Sequence, residues 1–453
     1  MSPLTQRSAI IATIAFVLSA CAGGAGGSPS APSGPPGGPP GKRRHQIDHV
    51  VIIIQENRTV DNLFQGFPGA DTRSYGFDRR GVKIKLMPVP LEASWDFAHD
   101  STSFLDACDG RGTFPGTDCK MDGFDREHWD CGSGGHPRCP NANPPYSYVP
   151  QYETRPYFFI GKHYVFADEM FPSNFDSSSF VSHQYAIAGQ ANSTVNFPIG
   201  AWGCEGGSRS FIPTVTHERT IGGNVAPCFN HATLGDELDN AGVSWRYYTS
   251  TVKVSGGVWS AYQAIKHIYD GPDWNKDVVS PQTQFFNDVS NGDLPAVSWI
   301  TPTCRNSDHP DCGSHTGPDW VASLVNAIGE SQYWSSTAIF VFWDDYGGWY
   351  DHVPPALVDY DGLGIRVPLL VVSAYAKEGC VSHVHYEHGS ILKFVEDQFA
   401  LPRLSASDAR ANPIASRCFD FSHAPRSFTK IPASHDERYF LRQPPDTRPP
   451  DTE

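Results

Sequence analysis

The chain has 453 residues, a formal net charge of −15 and a pI near 5.6. No stripe of basic residues interrupts this acidic balance, which disfavours nucleic-acid binding. Beyond its first segments the chain is long enough for one large core or two domains, and we predict a single domain over residues 47–440. No protein partner can be inferred from the sequence.

The first residues have the pattern of a secretory signal. Arg7 precedes an apolar run, Ala9 to Leu18, that is too short to span a bilayer. Leu18-Ser-Ala-Cys21 resembles a bacterial lipobox, which predicts a signal peptide over residues 1–20 and a lipid anchor on Cys21. The protein would then be an outer-membrane or cell-surface lipoprotein. Ordinary cleavage nearby is the alternative and would give a periplasmic or secreted protein.

Two segments are predicted to lack a fold of their own. Residues 21–46 are a tether, because residues 22–41 contain only Ala, Gly, Ser and Pro. The tail, residues 441–453, is rich in Pro and charge and is predicted to be disordered.

The cysteines fit an exported protein. Cys21 belongs to the signal region, and the other ten of the 11 cysteines are enough for five disulfides. None of the spacings is CxxC, which disfavours a zinc cluster. The connectivity is open, although Cys131–Cys139 and Cys304–Cys312 are near enough in sequence to close their own loops.

Two unbroken apolar runs, Val50 to Ile54 and Ala338 to Trp343, predict strands buried on both faces of a parallel sheet. Such sheets bind ligands just beyond the carboxyl ends of their strands. The first run ends at Glu56-Asn57, which alone fits a loop acid and a turn residue equally well. The second ends at Asp344-Asp345, and unpaired carboxylates beside a core are costly unless they share a cation.

We therefore predict one divalent cation held by oxygen ligands. Calcium, magnesium and manganese are the natural ions for such ligands, and zinc or iron remain open. The predicted ligands are Glu56, Asn57, Asp344 and Asp345.

Three serines, Ser177, Ser178 and Ser179, precede an apolar-spaced segment that predicts a helix. A helix N-terminus favours phosphate, and a hydroxyl beside a cation is a candidate nucleophile. On spacing alone, however, a serine that caps the helix is the better interpretation.

The histidines are ambiguous by position. His99 alone is more typical of a structural residue, whereas His309 follows a predicted strand inside the Cys304–Cys312 interval and is better placed for chemistry. His267 has helical neighbours. His383, His385 and His388 precede a helix, where metal binding and simple packing both fit, and they are left outside the predicted site.

In their order, the motifs resemble a bacterial phosphoesterase family that contains phospholipases C and the respiratory-burst-inhibiting acid phosphatases. The resemblance extends from Ile47 to about Phe421. It is carried by Gln55-Glu-Asn-Arg58 with Asp61, Lys120-Met-Asp-Gly-Phe124, Ser179-Phe-Val-Ser-His-Gln-Tyr185, Leu294-Pro-Ala-Val-Ser-Trp299, Ser307-Asp-His-Pro310, Asp344-Asp-x-Gly-Gly-x-x-Asp-His-Val353, Arg366-Val-Pro368, His388-Gly-Ser-Ile-Leu-Lys-Phe394 and Phe419-Asp-Phe421.

The resemblance implies an alkaline-phosphatase-like α/β sandwich, with a mostly parallel central sheet flanked by helices and long loop insertions. It implies that the four predicted oxygen ligands hold the metal. Ser179 would be the nucleophile, which replaces the cap interpretation, and His99 and His309 would contact the phosphate. Whether His267 or His352 joins the site stays open.

The expected substrate follows from two positions at which this sequence departs from the motifs of the family. Ser179-Phe-Val-Ser-His183 stands where phospholipase C members carry Thr-x-Pro-Asn-Arg, and Asp344-Asp345 stands where many relatives carry Asp-Glu. The first is more similar to the acid-phosphatase branch. We expect an exported hydrolase that prefers phosphomonoesters, acting through a Ser179 phosphoserine. The alternatives are a phospholipase C that cleaves phospholipid head groups, and a non-catalytic binding protein that would have lost the nucleophile or an acid.

Overall fold

The structure is a computed structural model that describes residues 46–110, 114, 116–132, 137–251, 253, 257–312 and 315–447. The predicted signal peptide, Cys21 and almost all of the tether lie outside these residues, as do residues 448–453 of the tail. Earlier in the tail, Gln443 makes two side-chain hydrogen bonds with Asn306, at 2.8 and 3.0 Å. Among the described residues, no helix combines the length and apolar character that crossing a bilayer requires.

The described residues alternate between strands and helices along most of the chain. The strands are β1 His49–Gln55, β2 Tyr75–Phe77, β3 Lys83–Lys85, β4 Met87–Pro88, β5 Ser147–Tyr148, β6 Val165–Phe171, β7 Ile212–Val215, β8 Ile221–Val225, β9 Trp245–Tyr248, β10 Val278–Val279, β11 Val297–Ile300, β12 Thr337–Trp343, β13 Val367–Ser373, β14 Cys380–Ser382 and β15 Tyr386–Glu387. The helices are α1 Val60–Leu63, α2 Ser101–Cys108, α3 Arg155–His163, α4 Ser179–Ala188, α5 Leu234–Ala241, α6 Lys266–Tyr269, α7 Asp273–Lys276, α8 Gln284–Asn291, α9 Gly317–Gly329, α10 His388–Phe399, α11 Ala406–Arg410, α12 Ala415–Cys418 and α13 Glu437–Leu441.

A single large sheet lies at the centre, with strand order β10-β9-β11-β1-β12-β13-β6-β14 and with β15 also paired to β6. Its strands pair in parallel except where β13 runs antiparallel to both β12 and β6. The predicted α/β fold with a mostly parallel sheet is confirmed.

Helices cover both faces of this sheet. On β12, Trp343 packs against Tyr157 of α3 with ring centroids 5.0 Å apart, and Phe340 packs against Phe394 of α10 at 4.9 Å. Side chains three positions apart on a strand point to opposite faces, so α3 and α10 lie on opposite sides. This explains why β1 and β12 are apolar without alternation, and it confirms the predicted sandwich.

The register of the two central strands sets the position of the acids. β1 and β12 are parallel neighbours in which Gln55 lies opposite Trp343. The next residues, Glu56 and Asp344, therefore leave the sheet side by side at its carboxyl edge. The chain after β6 reaches the same edge and begins α4 at Ser179.

The disulfides confirm part of the cysteine prediction. Cys131–Cys139 and Cys304–Cys312 close their own loops as expected, and Cys108–Cys119 and Cys204–Cys228 are also bonded. The five disulfides that ten cysteines allow are not all formed among them, because Cys418 is a free thiol. It is buried in the core with its Sγ 3.5 Å from the Tyr386 hydroxyl.

Candidate active site

Glu56 and Asp344 share a histidine at the carboxyl edge of the sheet. His183 Nε2 lies 3.1 Å from Glu56 Oε1 and 3.6 Å from Asp344 Oδ2. Asp344 Oδ1 accepts a hydrogen bond from the backbone N–H of Asn57 at 3.0 Å. The sequence analysis did not place His183 in the site. The signal that could have found it is its position four residues after Ser179, on the same face of α4.

Asn57 is held by the loop that carries His99, and Asp345 is held within its own loop. His99 Nδ1–H donates to the Phe97 carbonyl at 2.8 Å, so His99 Nε2 accepts from the side-chain amide of Asn57, also at 2.8 Å. Asp345 Oδ1 accepts from the Gly347 N–H at 2.8 Å. Gly347 has φ +58°, and a Cβ there would lie 2.6 Å from the Asn57 Cβ. Only glycine allows this close approach of the two loops.

These contacts leave one oxygen of each predicted ligand without a hydrogen-bond partner among the described residues. The four side chains are at most 1% exposed. Buried oxygens without partners are unfavourable, and carboxylate and amide oxygens are the donors that divalent cations prefer. The residues therefore fit the predicted cation. The oxygens are Glu56 Oε2, Asn57 Oδ1, Asp344 Oδ2 and Asp345 Oδ2.

The charges of the buried acids also favour a bound cation. Burial, then the charges of Asp344 and Asp345, raise the pKa of Glu56 well above its usual value. Burial and the charge of Asp344 likewise raise the pKa of Asp345. Burial lowers the pKa of His183 to about 4, so its imidazole is neutral at pH 7. Three carboxylates thus compete for one buried volume, and a divalent cation would offset their charge.

Ser179 is the first residue of α4, and the residue in the N-cap position is Ser178. The cap interpretation is wrong, because α4 has no side-chain cap and Ser178 Oγ donates instead to the Asn196 carbonyl at 2.8 Å. Ser179 Oγ is buried, has no hydrogen-bond partner among the described residues, and lies near Asp344. A hydroxyl between a helix N-terminus and a cluster of acids is well placed to meet a phosphate.

The two predicted phosphate contacts lie next to each other. The rings of His99 and His309 have centroids 6.2 Å apart. His309 Nδ1–H donates to the Pro310 carbonyl, and its Nε2 lies 3.9 Å from Asp96 Oδ2. The structure thus brings all seven predicted site residues into one neighbourhood, and their roles stay predictions.

The remaining histidines separate into surface and core positions. His267 is exposed and contacts Asp236 at 2.8 Å, outside the site. His383 pairs with Asp168, and His385 with Glu169. His388 differs, because it is 1% exposed and its ring packs on Phe342 at 5.0 Å beside the acidic cluster.

His352 belongs to a second buried cluster. Its Nδ1 lies 2.6 Å from Asp61 Oδ2, and Arg366 donates to both oxygens of Asp351 at 3.0 and 3.2 Å. The Asp61 N–H also donates to Asp351 at 3.1 Å. These groups satisfy each other, which explains the Asp-His and Arg-Val-Pro motifs as an ion network that holds the loops after β1 and β12.

We expect His352→Gln to lower the free energy of unfolding by about 2 kcal/mol near pH 6, the typical worth of a hydrogen bond between charged groups. Burial lowers the pKa of His352, but the bond to Asp61 outweighs it and the net shift is upward. A histidine whose pKa is raised on folding stabilises the fold fully at pH values below its ordinary pKa. This stabilisation is lost as the pH rises through the raised pKa.

Thermal melting of the wild type and His352→Gln near pH 6 and near pH 9 measures the stability lost in the variant. The loss should be smaller at pH 9. His267→Gln is the matched control, since it removes an exposed pair with Asp236 and should change little at either pH. An equal loss for His352→Gln at both pH values would contradict the charged pair.

A surface cleft of about 600 Å³ lies elsewhere and contains none of the seven residues. Two of its acids are already paired, Asp319 with His435 at 2.7 Å and Glu92 with His315 at 3.4 Å. The predicted site at the sheet edge is therefore separate from this cleft.

Comparison with known proteins identifies the family. The model of the Phosphoesterase family matches residues 47–402, which is most of the chain. The chain belongs to the Phosphoesterase family. The resemblance inferred from the motifs is confirmed, and family membership supports the predicted enzyme class, a hydrolase acting on phosphoric ester bonds.

Curated members similar to this chain are named phospholipases C. The non-hemolytic phospholipase C of Pseudomonas aeruginosa is 23% identical over 422 residues, covering 80% of this chain and 56% of that protein. Phospholipase C B of Mycobacterium tuberculosis is 25% identical over 413 residues, covering 79% of this chain and 74% of that protein. The chain thus spans little more than half the length of the Pseudomonas relative.

Solved structures are more distant. An alkaline phosphatase superfamily protein from Vibrio parahaemolyticus is 9% identical with a TM-score of 0.38, covering 82% of this chain and 72% of that one.

Proposed function

We propose that this Phosphoesterase family member is a metal-dependent phosphoester hydrolase that acts through a phosphoserine on Ser179. The supporting observation is the arrangement beside Ser179, in which four buried ligand candidates each present one oxygen that has no partner in the described part of the chain. A non-catalytic binding protein is disfavoured, because the nucleophile and all the acids are present.

A bound divalent cation would lower the proton affinity of the Ser179 hydroxyl and neutralise charge on the phosphoryl group. Ser179 Oγ would attack phosphorus as its proton passes to water, the bond between phosphorus and the leaving oxygen would break, and that oxygen would take a proton from water and leave as the alcohol. The free N–H groups of the first turn of α4 would hold phosphoryl oxygens. His309 Nε2 would face the phosphate or the leaving oxygen, while His99 would orient the Asn57 amide through their hydrogen bond. Water would then hydrolyse the phosphoserine.

Phosphomonoesters are our first substrate class. The support is the segment Ser179-Phe-Val-Ser-His183, which is more similar to the acid-phosphatase branch than to the Thr-x-Pro-Asn-Arg of phospholipase C members. Phospholipase C activity is the second candidate, and the names of the curated relatives favour it.

A substrate panel on metal-stripped and reloaded protein tests this function. Phosphomonoesters, phosphodiesters and phospholipid vesicles should be hydrolysed only after reloading, with monoesters fastest by kcat/KM. Full activity of the stripped protein would contradict metal dependence. A preference for phospholipids would replace the first substrate class with the second.

We also propose export with a lipid anchor, on the basis of the apolar run and Leu18-Ser-Ala-Cys21. Mass spectrometry of the mature N-terminus should find diacylglycerol on Cys21. Cleavage at another residue without lipid would instead indicate a periplasmic or secreted protein.

A further inference from the structure

The four predicted metal ligands all offer oxygen atoms, but a nitrogen atom, His183 Nε2, lies among them. This Nε2 and one carboxylate oxygen each from Glu56 and Asp344 all lie within 4.8 Å of one another. His183 is 1% exposed, and the two acids are equally buried. Three potential ligand atoms thus converge on one small volume.

We propose that His183 Nε2 is a direct ligand of the cation, which makes the site one for zinc, iron or manganese rather than for calcium or magnesium. The inference rests on the proposed metal dependence and deepens it by naming the class of ion.

The separations fit a shared ion. Two ligand atoms about 2.1 Å from a metal lie about 3.0 Å apart at octahedral angles and about 3.4 Å apart at tetrahedral angles. His183 Nε2 lies 3.1 Å from Glu56 Oε1, the oxygen next to the Oε2 that has no partner among the described residues, and 3.6 Å from Asp344 Oδ2. A hydrogen bond to Glu56 would account for the first distance alone, but it leaves the position of the ring against Asp344 unexplained.

The fold holds the imidazole in this position. α4 is buried along its whole length, so the ring cannot swing towards solvent. Gln184, the next residue, donates to the Ala261 carbonyl at 2.9 Å and fixes the rotation of the helix. His183 therefore faces the carboxyl edge of the sheet together with Ser179.

The chemical class of the ion follows from the mixed ligand set. Calcium and magnesium take oxygen ligands, whereas imidazole suits zinc, iron and other transition ions. One nitrogen among carboxylate and amide oxygens favours an ion that accepts both. Manganese and iron also match the oxygen-rich remainder of the set.

Metal binding to the stripped full chain tests the inference without any substrate. Competition with a chromophoric chelator gives the affinities for Zn²⁺ and Mg²⁺ in the wild type, His183→Gln and His388→Gln. His388 is the matched control, because it is equally buried beside the cluster but does not belong to the ligand triad of the described residues. Melting curves of the stripped proteins verify folding.

We expect His183→Gln to lower the Zn²⁺ affinity about a hundredfold or more and the Mg²⁺ affinity less than about threefold, and His388→Gln to change neither. An equal fall for both ions would show that His183 only orients Glu56. Tighter binding of Mg²⁺ or Ca²⁺ than of Zn²⁺ by the wild type would also overturn the inference, while metal-dependent hydrolysis would stand.

Cobalt substitution gives a second readout that needs no variant to fold. Co²⁺-loaded wild type should show a hyperfine-shifted, solvent-exchangeable N–H resonance from a ligating imidazole. If the protein binds Co²⁺ but this resonance is absent, the inference about His183 is overturned and the proposed metal dependence stands. Failure to bind any divalent ion would overturn both this inference and the metal dependence on which it rests.

Discussion

Ser179→Ala is expected to lower kcat by about 10³-fold or more on every phosphoester that the protein hydrolyses, because it removes the oxygen that we propose accepts the phosphoryl group. Metal content should not change, since the four proposed oxygen ligands and His183 remain. Stability should change by less than about 1 kcal/mol, because Ser179 Oγ has no hydrogen-bond partner among the described residues.

Ser177→Ala is the matched control for this variant. Its hydroxyl is also buried without a hydrogen-bond partner among the described residues, but it lies two positions before α4 begins. Its kcat should stay close to that of the wild type. Acid-quenched wild type should yield a phosphoserine on the Ser179 peptide, and Ser179→Ala should not. Near-normal turnover by Ser179→Ala would instead indicate direct attack by water.

The strands that build the site could be predicted because burial on both faces leaves a clear sequence pattern. Val50 to Ile54 and Ala338 to Trp343 became β1 and β12 with one added residue at one or both ends. The direction of β13 could not be predicted. Val367 to Ser373 is as apolar as β12, to which it is antiparallel, since helices cover both faces whichever way a strand runs.

The acids of the site could be predicted for a related reason, because the carboxyl ends of parallel strands meet at one edge. His183 could not be found this way. It is 127 positions from Glu56, and only the docking of α4 on the sheet brings the two together. The state of Cys418 could not be predicted either, because the number of cysteines does not show which of them is a buried free thiol.

The role of Ser179 shows where local and tertiary information conflict. Three consecutive serines before a helix predict a cap, and local propensity contains nothing against it. The structure places Ser178 in the N-cap position and directs its hydroxyl to Asn196, which leaves Ser179 facing the acids. The resemblance to the family supplied what the spacing could not.

Asp345→Asn is expected to shift stability in opposite directions with and without metal. In the stripped protein, Glu56, Asp344 and Asp345 repel one another in a buried volume, so removing one charge should stabilise the fold by about 1–2 kcal/mol. With metal, the wild type gains binding energy, about 4 kcal/mol at a thousandfold excess over Kd, and the variant should lose most of it.

The pH dependence of stability gives a second test of the same prediction. Burial and neighbouring charge raise the pKa of both Glu56 and Asp345, so the stripped wild type should lose stability as pH rises above about 4. Asp345→Asn should lose less over that range, because one of the titrating carboxyls is gone. Added metal should remove the decline in the wild type by binding the ionised acids.

Elemental analysis and melting curves, with and without added metal, measure these effects. Asp288→Asn is the matched control, because Asp288 is buried but paired with Arg246 at 2.5 Å, so its loss should destabilise both forms alike. The double variant Asp344→Ala, Asp345→Ala should retain almost no metal. If it retains the wild-type metal content, or if Asp345→Asn melts lower than the wild type when both are stripped, the cation does not lie between these acids.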